Sequence, residues 1–386
     1  MKLTHHLGVP FNRPFSAGLE LENLAKALQS GHLSGDGPFT KQCSAWLEQT
    51  TGCRKALLTH SGTAALDMSA ILADIAPGDE VLMPSYTFVS TANAFVLRGG
   101  VPVFIDIRPD TFNLDESRIE EAITSRTRAI VPVHYAGVGC EMDAIMEIAR
   151  RRNLLVIEDA AQGIMAKYKG RPLGAIGHLG ALSFHETKNL LSGEGGALLI
   201  NDDRFSDRAE VIREKGTNRS KFFRGQVDKY TWIDIGSSFL PSELTAAFLH
   251  AQFENADLIQ RRRIGIWETY HAAFAELERL GKVRRPVVPP PHVTRNGHMY
   301  YLLLPNLEIR TRALGALKRR GVGAVFHYVP LHSSPAGRKY GRAHGPMTVT
   351  DEVSERLLRL PLWPGLEPSL DEVCAATVEA IRDSFG

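Results

Sequence analysis

The chain has 386 residues, of which 44% are hydrophobic and 23% are charged, with 45 basic and 43 acidic side chains. This length exceeds the size that a single hydrophobic core usually serves, so the sequence predicts two domains, residues 1–255 and residues 256–386. The formal net charge of +2 argues against the strongly basic surface that is typical of proteins binding nucleic acid or anionic lipid.

The cysteines and the apolar runs bear on the cellular compartment. The four cysteines have neither metal-ligand spacing nor the density of a disulfide framework: Cys43, Cys53, Cys140 and Cys374. Residues 1–14 lack the apolar core of a signal peptide, and no apolar run approaches the roughly 20 residues that cross a bilayer. We therefore expect a cytoplasmic protein with no membrane span and no metal.

From about residue 55 to residue 202, strand and helix patterns alternate along the chain. Short, nearly continuous apolar runs predict strands at 80–88, 101–107, 129–137 and 154–162. Helical periodicity between them predicts helices at 63–75 and 142–153. Buried strands with helical crossovers are typical of a mostly parallel sheet, so we expect a large α/β domain.

The second half of the chain has a different organisation. Residues 216–238 form a polar, aromatic and basic segment with few helix or strand signals, and long segments of this kind are often functional. A long helical pattern begins at Pro241, in the position where proline suits a first helical turn. Later patterns predict a strand, a helix and a strand of a small α+β domain at 298–304, 310–321 and 323–331.

Candidate ligand-binding residues lie where predicted strands end, the edge at which α/β sheets bind ligands. Gly62 and Thr63 begin a helix, and the free N–H groups and dipole of a helix start suit a phosphate. Asp159 closes the strand at 154–162, where a buried acid is costly unless it is paired. Taken alone, the helix start is a weak signal that also fits a simple capped helix, and a structural salt bridge is the commoner role for an acid placed like Asp159.

Three further features complete a chemical set. Phe88 follows a strand and offers a flat ring to an aromatic ligand, although core packing is the commoner role of a phenylalanine. Ser183 and His185 precede Lys188, a lysine in a glycine-rich turn that has no structural need for an amine. A phosphate site, a stacking ring, a carboxylate for a ring nitrogen and a lysine for a Schiff base are what pyridoxal 5′-phosphate requires, so Lys188 would carry this cofactor.

At these residues the sequence resembles the sugar-nucleotide aminotransferases of the DegT/DnrJ/EryC1/StrS family. The motifs that carry the likeness run in order along the chain: SGTAAL, GDEVLMPSYTFVSTANA, VPVFIDIRPDTFNLD, VPVHYAG, IEDAAQ and SFHETKNLLSGEGGALLIND. The resemblance implies the pyridoxal-phosphate-dependent transferase fold of type I, which is like that of aspartate aminotransferase. It also implies a large, mostly parallel-sheet domain, a small C-terminal α+β domain, and a homodimer with active sites shared between subunits.

The resemblance also implies roles for individual residues. Lys188 is expected to be the Schiff-base lysine, Asp159 the partner of the pyridine nitrogen, Gln162 a neighbour of the phenolic oxygen, and Phe88 the stacking ring. Gly62, Thr63 and Ser183 are expected to bind the cofactor's phosphate. His185, which shares the predicted strand of Ser183, is also expected to contact the cofactor.

One position departs from the family pattern. Many relatives carry an asparagine that reaches the phosphate bound to the partner subunit, whereas this chain has Ser238 there. A hydroxyl of Ser237 or Ser238 could donate to that phosphate in its place.

The long segment resembles a narrower branch of the family, the enzymes that make dTDP-4-amino-4,6-dideoxygalactose for enterobacterial common antigen. This likeness implies L-glutamate as amino donor and dTDP-4-keto-6-deoxyglucose as acceptor. Another dTDP- or UDP-linked keto sugar, aminated at C3 or C4, stays an alternative. A related sugar dehydratase is less favoured because such enzymes carry histidine where this chain has Lys188, and the intact cofactor set argues against a regulator without activity.

Three basic residues of the segment are candidates for gripping the substrate. Arg219, Arg224 and Lys229 are interleaved with aromatic residues. Because the net charge is close to zero, the two negative charges of a nucleotide sugar must be met locally, and arginine suits phosphate oxygens. We expect at least one of the three to contact the diphosphate, with a solvated surface loop as the alternative.

Overall fold

The computed structural model describes residues 6–386. Residues 1–5 lie outside the described residues; they belong to the predicted large domain and to the segment 1–14 that lacks a signal-peptide core. The helices of the described residues are α1 (Glu20–Gln29), α2 (Pro38–Thr51), α3 (Gly62–Leu72), α4 (Val89–Val96), α5 (Ile119–Ala122), α6 (Met142–Arg152), α7 (Ser206–Arg213), α8 (Arg219–Phe223), α9 (Glu243–Glu254), α10 (Ala256–Ala273), α11 (Ala275–Arg279), α12 (Leu307–Arg319), α13 (Pro335–Tyr340), α14 (Thr348–Arg356) and α15 (Leu370–Ser384).

The strands of the same residues are β1 (Lys55–Thr59), β2 (Glu80–Pro84), β3 (Val101–Ile105), β4 (Thr127–Ile130), β5 (Leu155–Asp159), β6 (Lys167–Tyr168), β7 (Arg171–Pro172), β8 (Leu179–Ser183), β9 (Gly196–Ile200), β10 (Val293–Thr294), β11 (Tyr300–Leu303), β12 (Arg342–Ala343) and β13 (Leu357–Leu360). The predicted strands at 80–88, 101–107, 129–137 and 154–162 correspond to β2, β3, β4 and β5, each shorter than its apolar run. The predicted helices at 63–75 and 142–153 correspond to α3 and α6.

A central sheet of eight strands has the order β1-β9-β8-β5-β4-β2-β3-β12. Neighbouring strands from β12 to β8 pair in parallel, and only β9, which pairs antiparallel with both β8 and β1, runs the other way. Strands β2, β8 and β9 are buried along their whole length. The carboxyl ends of β1, β2, β4, β5 and β8 therefore open at one edge of the sheet.

Hydrophobic residues cover both faces of this sheet. On one face, α3 packs against β8 and β9, and its buried side chains include Ala65, Met68 and Leu72. On the other, Ile145 and Ile148 of α6 pack with Ile130 and Val156 of β4 and β5. Apolar residues three or four positions apart thus set the positions of these helices, because they pack against strands that are covered on both faces.

A separate hydrophobic cluster is formed by the C-terminal part of the chain. It joins α10, α12 and α15 to the two-stranded antiparallel sheet of β11 and β13, with Tyr270, Leu302 and Ile381 at its centre. Backbone pairing joins this part to the rest at several places, among them β12 with β3, β10 with β6, and Val9 with Val322. The division into domains near residue 255 stays a prediction.

The second half of the chain differs from expectation in two places. Residues 323–331, predicted as a strand, form no strand, and Val325 makes only a single bridge to Arg359. The partner of β11 is β13 instead, and His327 and Tyr328 bond to Tyr135 and Gln162. The long helical pattern from Pro241 is divided into α9, α10 and α11, with breaks at Asn255 and Phe274.

Residues 216–238 are irregular apart from the five-residue helix α8, which agrees with their weak patterns. Among residues 6–386, no helix combines the length and the apolar character needed to cross a membrane.

Candidate active site

The start of α3 lies against the ends of β8 and β9. Ser61 caps the helix, since its hydroxyl accepts from the Ala64 N–H at 3.1 Å. A Cβ on Gly62 would lie 2.8 Å from Cβ of Ser183, and a Cβ on Gly196 would lie 2.3 Å from the Ser61 carbonyl carbon. The two glycines therefore allow the first helical turn to sit directly on the strand ends.

This close packing brings together the predicted phosphate ligands. Gly62 and Thr63 are the first two helical residues, so their N–H groups have no partner within the helix. The hydroxyl of Thr63 lies 2.7 Å from that of Ser90, and Ser183 is buried beside Gly62. An anion at this helix start would meet N–H donors, hydroxyl groups and the positive end of the helix dipole.

Asp159 is buried at the end of β5, with an exposed fraction of 5%. Its Oδ2 accepts from the Thr91 hydroxyl at 2.7 Å and its Oδ1 accepts from the Ala161 N–H at 3.1 Å. The Thr91 hydroxyl is in turn 2.8 Å from that of Thr87. Both oxygens are thus held by neutral donors, and among residues 6–386 the carboxylate forms no salt bridge. Such an acid keeps the capacity to accept from a positively charged ring N–H.

Lys188 lies in the turn after β8, with its backbone N–H bonded to the carbonyl of His185 at 2.8 Å. Burial lowers the pKa of the Lys188 amine from its usual value to about 8, although the nearby Asp159 carboxylate acts in the opposite direction and Arg359 adds to the lowering. The amine therefore has a substantial neutral fraction near physiological pH, which a nucleophile and proton carrier requires.

The backbone of Lys188 is held by the residue that follows it. Asn189 is buried, and its amide N–H donates to the carbonyl of Asn296 at 2.8 Å. Its side-chain oxygen accepts from Nδ1 of His298, also at 2.8 Å. Since the Asn296 amide itself donates to the carbonyls of Gln162 and Ile164, at 2.7 and 2.8 Å, the lysine turn is tied to the segment that follows Asp159.

Gln162 and Phe88 border the same space. Gln162 is buried, accepting from the Ala136 N–H at 2.7 Å and donating to the Tyr328 hydroxyl at 2.9 Å. The Phe88 ring is 56% exposed, and its centroid lies 6.4 Å from that of Tyr328. An exposed aromatic ring beside a polar site suits stacking on a flat ligand better than core packing.

Sequence reasoning missed an aromatic wall on this side of the site. Its rings are Tyr86, Tyr135, His327 and Tyr328; His327 stacks on Tyr328 at 3.6 Å, and the Tyr135 hydroxyl lies 2.8 Å from Nδ1 of His327. The run FHYVPL was a usable signal, because two adjacent polar aromatic residues are unusual in a buried strand.

The remaining candidates lie toward the surface. The His185 ring is partly exposed, and its Nδ1 accepts from the Thr187 N–H at 3.2 Å, so it belongs to the turn rather than to the strand of Ser183. Ser238 is exposed and bridges to Glu214. Its predicted contact with a partner subunit's phosphate stays a prediction.

The three predicted substrate cations are not in equivalent positions. Nη1 of Arg219 lies 3.2 Å from Oε2 of Glu214, and Nη2 of Arg224 lies 2.8 Å from Oε2 of Glu210. Lys229 is exposed on the irregular segment. A diphosphate would therefore have to compete with acids for both arginines, and their predicted role stays a prediction.

The residues present fit pyridoxal 5′-phosphate. A helix start with a buried serine suits the phosphate, and an exposed phenylalanine suits the ring. The strongest observation is the combination of Asp159, a buried carboxylate held only by neutral donors, with the partly buried amine of Lys188.

Comparisons with known proteins agree with this geometry. The sequence matches the DegT/DnrJ/EryC1/StrS aminotransferase family over residues 16–378. The spore coat polysaccharide biosynthesis protein SpsC of Bacillus subtilis strain 168 is 33% identical in an alignment of 395 positions, which covers 99% of this chain and 98% of that protein.

Solved structures are similar over the whole fold. The aminotransferase TlmJ of Streptoalloteichus hindustanus has a TM-score of 0.90 at 28% identity, covering 98% of this chain and 100% of that one. The PLP form of Spr1654 from Streptococcus pneumoniae has a TM-score of 0.89 at 24% identity, covering 98% of this chain and 99% of that one, and shares the fold. The family match and these likenesses confirm the predicted fold class, and membership of the family confirms the predicted cofactor, pyridoxal 5′-phosphate.

Proposed function

Because this chain belongs to the DegT/DnrJ/EryC1/StrS aminotransferase family and is a pyridoxal-phosphate-dependent sugar aminotransferase, we propose a specific reaction for it. The amino donor is L-glutamate, and the acceptor is dTDP-4-keto-6-deoxy-D-glucose, which is aminated at C4. The product is dTDP-4-amino-4,6-dideoxy-D-galactose. The observation that carries the amino-transfer chemistry is the partly buried amine of Lys188 near the Asp159 carboxylate.

Each residue has a part in this reaction. Pyridoxal phosphate, when bound, supplies an aldehyde that joins covalently to amines and a ring that withdraws electrons. Asp159 would keep a proton on the ring nitrogen, because its oxygens accept hydrogen bonds and no salt bridge neutralises it. Gly62, Thr63 and Ser183 would hold the phosphate, and Phe88 would cover the ring.

Lys188 would move the proton. With a pKa near 8, Nζ can take a proton from the α-carbon of the amino donor and later give one to the carbon of the sugar. Asn189 fixes the backbone next to this lysine through its bonds to Asn296 and His298. Gln162 and Tyr328 keep the opposite side of the site in a fixed orientation, since their side chains are bonded to each other.

Two observations support a nucleotide-sugar substrate. The relative SpsC is a polysaccharide biosynthesis protein, which agrees with a modified sugar as product. Arg219, Arg224 and Lys229 lie on one segment, where Lys229 is exposed and a diphosphate would replace the acids that now pair with the two arginines. The sequence likeness of this segment to the dideoxygalactose branch is the reason for proposing this particular sugar.

We also propose a homodimer with shared active sites. The segment 216–238 carries exposed apolar side chains, including Phe223, Trp232 and Ile233, and Trp232 is 78% exposed. Exposed apolar side chains in such number mark an interaction surface. A second copy would cover them and bring Ser238 toward the neighbouring phosphate site. Light scattering should give twice the 42.5 kDa mass of the chain, and a fully active monomer would contradict the proposal.

Product identification tests the reaction. The purified enzyme, loaded with pyridoxal phosphate, is incubated with L-glutamate and dTDP-4-keto-6-deoxy-D-glucose, and the product is identified by mass spectrometry and NMR. We expect an amine at C4 in the galacto configuration. The Lys188→Ala variant is the control. An amine at C3, a preference for UDP-linked keto sugars, or loss of a sugar hydroxyl without amino transfer would each contradict the proposed reaction.

A further inference from the structure

Two buried threonine hydroxyls lie in line behind the Asp159 carboxylate. Thr87 is 2% exposed and Thr91 is fully buried. The Thr91 hydroxyl donates to Oδ2 of Asp159 at 2.7 Å, and its oxygen lies 2.8 Å from that of Thr87. Because a hydroxyl has a single hydrogen, Thr91 uses its hydrogen for Asp159 and accepts from Thr87. The two threonines therefore form a chain of donors that ends at the carboxylate.

A second carboxylate of the molecule shows what a purely structural bond of this kind looks like. Thr350 is the third residue of α14, as Thr91 is the third residue of α4, and its hydroxyl donates to Oδ1 of Asp106 at 2.7 Å. Asp106 also accepts from the backbone N–H groups of Val349 and Thr350, at 3.0 and 2.9 Å. It thus caps the start of α14, and the threonine hydroxyl is one of several bonds that fix the helix end.

Asp159 does not cap α4 in this way. Within the part of the chain that the structure describes, it accepts from no backbone N–H of α4, and the N–H of Thr91 is bonded to the carbonyl of Phe88 at 3.1 Å. Only the Thr91 hydroxyl and the Ala161 N–H occupy its acceptor positions, of which a carboxylate has about four. Helix capping therefore does not explain the bond, and the carboxylate retains acceptor positions for a ligand.

The same two threonines enclose the residue whose ring is expected to stack on the cofactor. Phe88 lies between Thr87 and the start of α4, and its carbonyl accepts from the Thr91 N–H. Thr91 is thus bonded through its backbone to Phe88 and through its side chain to Asp159. A flat ring bound here would meet Phe88 on its face and Asp159 at its edge, with Thr91 fixing the relation between the two.

We infer that Thr91, supported by Thr87, is a positioning residue that keeps Asp159 charged and orients its free acceptor positions toward the ring nitrogen of the cofactor. The inference rests on the proposed role of Asp159 and deepens it. A hydrogen bond donated to a carboxylate favours its charged form, and a neutral hydroxyl does so without supplying a competing positive charge. Without this donor the carboxylate would compete more strongly for the proton on the ring nitrogen, and the ring would withdraw electrons less effectively.

The test uses enzyme loaded with pyridoxal phosphate that carries ¹⁵N at the ring nitrogen. Its NMR chemical shift distinguishes a protonated from an unprotonated ring nitrogen, and neither amino donor nor sugar is needed. Thr91→Val removes the hydroxyl at nearly constant shape, Thr91→Ser retains it, and Asp159→Asn is the reference for a lost carboxylate. Thr377→Val is the matched control, because Thr377 is a buried threonine of α15 whose hydroxyl donates to the carbonyl of Val373 at 2.7 Å.

We expect Thr91→Val to move the ¹⁵N signal toward that of an unprotonated ring nitrogen, in the same direction as Asp159→Asn. Its kcat should fall by about tenfold, the size of a lost hydrogen bond to a charged group, while the KM for L-glutamate stays within about threefold. Thr91→Ser and Thr377→Val should give the wild-type signal. If Thr91→Val does not fold, Thr87→Val replaces it and should give a smaller displacement in the same direction.

The outcomes separate this inference from the proposed function. A wild-type ¹⁵N signal in folded Thr91→Val overturns the inference, whether or not kcat falls, even if Asp159→Asn moves the signal and the enzyme aminates the sugar as proposed. An unchanged signal in Asp159→Asn would mean that Asp159 is not the partner of the ring nitrogen, and the inference would fall together with that role. A displaced signal that Thr91→Ser restores supports the inference, whichever sugar is the substrate.

Discussion

The sheet-edge site and the segment 216–238 both contain charged side chains, but these side chains have different partners in the two regions. At the sheet edge, Asp159 is held by neutral donors, and neither the Lys188 amine nor Arg359 forms a salt bridge with an acid of residues 6–386. On the segment, by contrast, Arg219, Lys221 and Arg224 each pair with an acid on or just after α7, at 3.2, 2.8 and 2.8 Å.

This difference separates charges that await a ligand from charges that already have a partner. A partly exposed ion pair contributes little to stability and exchanges readily with solvent ions, so its residues can vary at small cost. A buried charge without a partner is costly, and proteins retain such groups mostly where function requires them. We therefore expect substitutions at the sheet edge to affect chemistry strongly and substitutions on the segment to affect binding moderately.

The largest effect is expected for Lys188→Ala. Without the amine there is neither a covalent attachment point nor a proton carrier, so multiple turnover should be lost. The variant should still retain cofactor after gel filtration, because the phosphate and ring contacts of Gly62, Thr63 and Phe88 do not depend on Lys188. Lys167→Ala, which removes an exposed lysine on β6, is the matched control. Substantial multiple turnover by purified Lys188→Ala would show that the residue is not the catalytic amine.

The next largest effect is expected for Asp159→Asn. The amide can still accept from the Thr91 hydroxyl, so the protein should fold with a near-normal Tm, yet a neutral amide does not hold a proton on a ring nitrogen. We expect the turnover rate to fall by more than tenfold, which corresponds to more than about 1.4 kcal/mol of transition-state stabilisation. Asp143→Asn, at an exposed acid paired with Lys169, is the control. A rate within tenfold of wild type would assign Asp159 a structural role.

Part of the sheet-edge site is visible in the sequence itself. The buried strands β2, β3, β4 and β5 were predictable because a short, continuous apolar run between turn residues favours a strand covered on both faces. Asp159 and Lys188 were predictable for the same reason, since each is a charged residue soon after such a run. The start of α3 was predictable from Gly62 and Thr63, which follow β1 and precede a helical pattern.

Other features depend on contacts between distant residues, which no local pattern encodes. Thr91 bonds to Asp159 across 68 positions, and Asn189 holds Asn296 and His298 across more than 100. Residues 323–331 have the composition of a strand, but the pairing of β11 with β13 leaves them outside the sheet. Their aromatic residues line the site instead, which is a tertiary effect that overrides local preference.

A moderate effect is expected on the segment itself. Alanine at one or more of Arg219, Arg224 and Lys229 should weaken sugar-nucleotide binding by roughly 1.5–3 kcal/mol, the value of a hydrogen bond to a charged group. The absorbance spectrum of the bound cofactor should stay unchanged, because these residues lie outside the cofactor site. Calorimetric titration with dTDP measures the affinity, and Lys221→Ala, at another paired cation, is the control.

The pairing with acids sharpens this prediction. If Arg224 must leave Glu210 to reach the diphosphate, Glu210→Gln should strengthen sugar-nucleotide binding, since the acid no longer competes. Unchanged affinity in all three alanine variants would mean that the segment has a structural role only.

The smallest effect is a pH dependence that arises from burial. Since burial lowers the pKa of Lys188 to about 8, its folded-state pKa lies below the unfolded value, which is about 10.4. Only the neutral amine attacks an aldehyde, so the rate at which cofactor-free protein binds pyridoxal phosphate covalently should rise with pH. Between pH 7 and pH 9 the neutral fraction, and with it this rate, should increase by about tenfold.

The sign of the stability effect follows from the same shift. Below pH 8 the cofactor-free protein buries a charged ammonium, which destabilises the fold, and this cost is removed as pH rises from 8 toward the unfolded value. Lys188→Met should therefore raise the Tm of the cofactor-free protein at pH 7.

Stopped-flow absorbance from pH 6 to pH 10 measures the rate of covalent cofactor binding, with an N-acetyl-lysine amide as the solvated reference. If the rate of covalent binding has its pH midpoint near 10, the Lys188 amine is as solvated as a surface lysine. The sheet-edge site would then not differ from the segment 216–238 in the burial of its charged groups.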